Sequence, residues 1–116
     1  MKWVVTALAV TLGGCVSVSE LESTPETLNV ISGKKPQEYA TCVQQQLAES
    51  RGPLEVEPHR DGLRLIVPQK VGGGPAALVD INERGSGSSI KLYERLNNFP
   101  LRLGDVKTAA TRCISG

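Results

Sequence analysis

The sequence predicts an α+β domain in two layers: an antiparallel four-stranded meander covered on one face by two helices, in the order α-β-β-β-β-α. A disulfide is expected to join the helices. Near the two ends of residues 36–116, apolar residues recur at helical spacing. Between those stretches lie short runs in which apolar and polar residues alternate, separated by turn residues. Each helical stretch also carries a cysteine on its apolar side. A meander with one apolar face needs a cover, and two flanking amphipathic helices supply it as a second layer.

Pro36 suits the first turn of a helix, where its missing N–H is not needed. Tyr39, Cys42, Val43 and Leu47 then share one face, while Gln44, Gln45 and Glu49 point elsewhere, and Gly52-Pro53 stops the run. The spacing predicts a helix over 36–50. Leu54 and Val56 alternate with Glu55 and Glu57 in a first strand. Pro58 to Gly62 reads as a turn, because Asp61-Gly62 is a strong hairpin signal. Leu63, Leu65 and Val67 face one way in a second strand that Pro68 ends, and Gly72-Gly73-Gly74 forms a flexible loop. Ala77, Val79 and Ile81 mark a third strand, Arg84-Gly85-Ser86-Gly87-Ser88 turns the chain, and Ile90 and Leu92 mark a fourth. Asn97-Asn98-Phe99-Pro100 breaks the pattern, after which Leu103, Val106, Ala110, Cys113 and Ile114 return to helical spacing.

The N-terminus follows a different logic. Lys2 and the free amine give a positive start, Trp3 to Leu12 form a short apolar run, and Gly13 and Gly14 are small residues suited to a cut. A spanning helix needs about 20 apolar residues, so this run is too short to remain in a bilayer. The tetrapeptide Leu12-Gly13-Gly14-Cys15 resembles the lipobox of bacterial lipoproteins. The resemblance covers about the first sixteen residues. It implies a signal peptide over 1–14, removed by lipoprotein signal peptidase, and acyl chains on Cys15 that make the bilayer a partner. In such lipoproteins an Asp directly after the Cys marks inner-membrane retention. Val16 stands here, so the resemblance implies the periplasmic face of an outer membrane. One acyl chain binds only marginally, at about 0.8 kcal/mol per buried CH₂, whereas two or more anchor stably, and the resemblance implies the second case.

Residues 16–35 are polar and rich in Ser, Thr and Glu, with Pro25 and no sustained period. They read as a flexible tether, giving an expected organisation of signal peptide 1–14, lipidated Cys and tether 15–35, and globular domain 36–116. Twenty flexible residues reach roughly 25 Å on average. The competing reading makes Leu28, Val30 and Ile31 an extra edge strand.

With Cys15 assigned to lipid, Cys42 and Cys113 remain, and an even remainder in an exported chain is most simply one disulfide. The bridge closes a loop of roughly 70 residues, worth about 4 kcal/mol in the chain-entropy description. The chain has 13 Lys and Arg against 12 Asp and Glu, so removal of Lys2 leaves a formally neutral mature protein. Its basic residues are scattered, with Lys34-Lys35 the only adjacent pair. This argues against nucleic-acid binding.

The remaining residues offer little chemistry. His59 is the only histidine and lies near Asp61, yet Ser86, Ser88 and Ser89 stand in a Gly-rich turn without a nucleophile-elbow pattern. One His and two bridged Cys do not make a zinc site, and Gly72-Gly73-Gly74-Pro75 lacks the Lys and the following helix of a phosphate-binding loop. No cofactor is expected. The expected function is non-enzymatic: an interaction or structural module for another envelope protein, with Gly72, Gly73, Gly74, Arg84, Gly85, Ser86, Gly87 and Ser88 as contact loops. Binding of a small ligand or peptidoglycan is the alternative, and hydrolysis a remote one.

Overall fold

The computed structural model describes residues 18–69, 74–94 and 104–115. The expected signal peptide, Cys15, Gly72, Gly73 and the break at 97–100 lie outside the described residues. The elements are α1 (helical residues 18–22), β1 (Leu28–Ser32), α2 (Pro36–Arg51), β2 (Glu55–His59), β3 (Gly62–Pro68), β4 (Pro75–Arg84), β5 (Gly87–Glu94) and α3 (Asp105–Arg112). The strands form one antiparallel five-stranded sheet in the order β1-β5-β4-β3-β2.

The meander β2 to β5 is the expected one, but the sheet has five strands where four were expected. The fifth is β1, which pairs with β5 from Leu28↔Leu92 to Ser32↔Ser88. Leu28 and Val30 pack against the core while Asn29 and Ile31 are exposed, so a short period-2 alternation puts this strand in place. The stretch expected as a tether is thus partly built into the domain.

The helices cover one sheet face. Tyr39, Val43 and Leu47 of α2 and Val106 and Ala110 of α3 join Leu65, Val67, Val79, Ile81, Ile90 and Leu92 in the core. The Tyr39 hydroxyl donates to the Ala110 carbonyl, and burial pushes its pKa above the ordinary phenol value, so it stays a neutral donor.

The antiparallel helices are clamped at both ends. Cys42 and Cys113 form the expected disulfide, with Cα atoms 5.8 Å apart and a sequence separation of 71. At the other end Arg51 Nε and Nη2 donate to Asp105 Oδ2 and Oδ1, each at 2.9 Å, and Ser50 Oγ donates to Oδ2 at 2.9 Å. Arg51 Nη1 also donates to the Pro68 carbonyl at 3.1 Å, tying the clamp to β3.

The β2–β3 turn is shorter than the expected 58–62, because Pro58 and His59 already belong to β2. Its central residues are Arg60 and Asp61, with Arg60 at φ 56°, and Gly62 already belongs to β3. A Cβ on Gly62 would stand 1.8 Å from the Ile81 carbonyl oxygen, so this glycine is required by the close approach of β4 rather than by the turn.

Replacing both Cys42 and Cys113 by Ala is expected to lower stability by about 4 kcal/mol in urea unfolding, from the loop length alone. A second prediction concerns pH. Burial acts to raise the Asp105 pKa, but the hydrogen bonds from Arg51 and Ser50 and the Arg51 charge outweigh it, leaving the carboxyl below its ordinary value. Its stabilising contribution is therefore full above the unfolded carboxylate pKa of about 4 and is lost as pH falls through the folded value. Asp105→Asn is expected to cost about 1–3 kcal/mol at pH 7, and the gap to the parent protein should close as the pH is lowered from about 5 towards 2.

Candidate functional site

The sheet face away from α2 and α3 is built around an ion pair. Arg64 of β3 and Asp80 of β4 are directly opposite in the register, and each is only 5 % exposed. Arg64 Nε donates to Asp80 Oδ1 at 2.7 Å and Nη2 to Oδ2 at 2.9 Å, a bidentate pairing of planar groups. The hydrogen bond to Asp80, opposed by burial and helped by Glu22, holds the Arg64 pKa above its ordinary value.

Two further groups reach the same nitrogen. Glu22 Oε2 lies 2.8 Å and His59 Nε2 3.1 Å from Arg64 Nη2. An Nη carries two hydrogens, and one is committed to Asp80, so Glu22 and His59 compete for the other. His59 Nε2 is also 3.6 Å from Asp80 Oδ2. A proton on that nitrogen would attract Asp80 and repel Arg64.

Glu22 brings α1 onto this face, and the neighbouring Leu21 is buried. Ala76 and Leu78, on the same side of β4 as Asp80, are buried as well. A polar cleft of about 280 Å³ opens beside the ion pair, bounded by His59, Arg60, Asn82, Lys91 and Tyr93 as well as the paired groups. Asn82 Oδ1 is buried there without a hydrogen-bond partner, and Lys91 Nζ lies 3.7 Å from Glu26. Burial, followed by the charges of Asp80 and Glu26, raises the Tyr93 pKa. A larger groove of about 700 Å³ runs alongside, past Val18, Glu55, Glu57, Ile66, Pro68 and Pro75.

The sequence-predicted residues distribute differently. The carboxylate nearest His59 in this network is Asp80, and it comes from β4 rather than from the turn that holds Asp61. Ser89 shares a cross-sheet row with His59, through Gly62 and Asn82, but three strand spacings separate them, about 14 Å. They do not form a dyad. Gly74, Arg84, Gly85 and Ser86 are exposed, as contact loops require. Gly87 and Ser88 are not: both are buried, a Cβ on Gly87 would lie 2.1 Å from the Ser32 carbonyl oxygen, and Ser88 Oγ donates to the Lys34 carbonyl at 2.7 Å. They belong to β5 and hold the β1–α2 connection in place, which corrects their expected role.

Among the described residues, no group of His, Cys, Asp and Glu is arranged to hold a metal ion, and no helix is long and apolar enough to cross a membrane. Sequence reasoning missed Glu22, Arg64, Asp80 and Asn82. The signal available for them was the unbroken apolar run Ala76-Ala77-Leu78-Val79, which marks a strand covered on both faces. The chain matches no protein-family model, no curated protein and no solved structure.

Removing one partner of a buried pair leaves the other charge uncompensated. Arg64→Ala is expected to cost about 3–5 kcal/mol in urea unfolding, whereas the double substitution Arg64→Met with Asp80→Leu should recover most of that loss.

Proposed function

We propose that the chain is a lipid-anchored bacterial envelope protein, a non-enzymatic interaction or structural module on the periplasmic side of the outer membrane that works with another envelope protein. The observation that carries this reading is how near the described fold comes to the lipobox. Val18, three positions after Cys15, is already helical, with Leu21 buried and Glu22 bound to Arg64. Acyl chains on Cys15 would hold the second sheet face near the headgroups and turn the helical face outward, in place of a domain on a long leash. His59 in contact with Arg64, remote from the serines, supports a non-enzymatic role. The reading includes no metal, cofactor or nucleic acid.

A second reading, binding of a small polar ligand such as a peptidoglycan fragment, is favoured by the unsatisfied Asn82 Oδ1 at the edge of the polar cleft. Such fragments should raise the melting temperature if they bind the folded state there, and Asn82→Leu should remove the shift.

The Cys15→Ser protein is expected to incorporate no labelled palmitate and to leave the outer-membrane fraction, while still forming the Cys42–Cys113 disulfide. Retention of label and location by the variant would overturn the proposal.

A further inference from the structure

The two sheet edges are built differently. β2 carries Glu55, Glu57 and Pro58, residues that discourage another strand from pairing with it. β1, with the sequence Leu-Asn-Val-Ile-Ser, carries no charge and no proline, and among the described residues no strand pairs with its outer side. Ile31 on that edge is 58 % exposed, more than any other large hydrophobic side chain among the described residues. An uncharged, apolar edge strand is a template for another strand.

We propose that β1 pairs antiparallel with β1 of a second copy of this chain, joining two five-stranded sheets into one. Charge placement selects both the partner and the direction. Glu26 lies before the strand, and Lys34 and Lys35 lie after it. Parallel pairing would put the two lysine pairs side by side. Antiparallel pairing separates them by the strand length, about 17 Å or some two Debye lengths, and turns the lysines of each copy towards the Glu26 end of the other.

Symmetry agrees with the same arrangement. Antiparallel neighbours in a sheet are exchanged by a two-fold axis normal to it, which keeps each face on its own side. Both copies of α1 would therefore lie on one side of the joined sheet and all four α2 and α3 helices on the other. Two acyl anchors would then reach the same bilayer. The shared bilayer, and the confinement it provides, rest on the lipid-anchor reading; the edge and charge arguments stand without it. A five-residue edge buries less surface than a stable soluble dimer needs, so confinement to a membrane, which raises the effective concentration, would strengthen the pair.

The test uses the full chain, both crosslinked in its membranes with an amine-reactive reagent and extracted in mild detergent for sedimentation equilibrium. The parent protein should crosslink as a dimer and associate reversibly in detergent. Ile31→Lys should weaken association at least tenfold, with a melting temperature and disulfide like the parent's, since Ile31 is not in the core. Val56→Lys, on the β2 edge, should associate as the parent does. A monomeric parent at every density, an Ile31→Lys protein that pairs as before, or equal damage from Val56→Lys would each overturn the proposal. Labelled palmitate measured on the same samples reports on the anchor separately, so either idea can fail without the other.

Discussion

The bond between Cys42 and Cys113 fixes how two short helices lie across the sheet, and the dry face depends on that placement. The core is assembled mainly from aliphatic side chains, with Tyr39 the one aromatic among its fully buried members in the described residues. A domain this small gains limited burial from its core alone. α3 has eight residues, too few to be stable as an isolated helix. Held by sulfur at its end and by Arg51 and Ser50 at its beginning, it needs only to complete a surface already positioned by α2.

The sheet consequently works with two unlike faces. Under the helices it is mainly aliphatic, and the Tyr39 hydroxyl that enters there donates to the Ala110 carbonyl. On the other side the central strands carry a buried arginine and aspartate whose geometry must be satisfied together. An ion pair of this kind adds little net stability, because its desolvation offsets much of its attraction. Its effect here is positional: Arg64 gives Glu22 a fixed partner, and with Glu22 the N-terminal helical residues acquire a seat on the sheet.

Much of this was legible in the residues. The meander, both terminal helices and the disulfide follow from apolar spacing and cysteine parity, signals that burial enforces directly. β1 was harder to read because its two inward residues, Leu28 and Val30, are embedded in a Ser, Thr and Glu-rich stretch, and a five-residue strand gives little periodicity. Its competing reading as an edge strand was the one that the structure supports. Arg64 and Asp80 give no such signal, because polar residues alternating with Leu and Val ordinarily face solvent. Only the register shows them opposite one another, and only α1 shows that their face is covered. The Ser88 misreading has a similar origin: a Gly/Ser string looks like a loop, yet the turn uses only Gly85 and Ser86 before pairing resumes.

The disulfide also divides the chain topologically. Residues 42 to 113 form a covalent ring that contains β2, β3, β4 and β5, whereas α1 and β1 lie outside it. Segments inside the ring remain near their partners even when hydrogen bonds open; those outside are held by side chains and strand pairing alone. In amide hydrogen exchange this amounts to two classes of opening, with the N-terminal segment peeling from β5 at a lower free energy than global unfolding. Among the described strands, the least secured is therefore the one that runs along the uncharged edge.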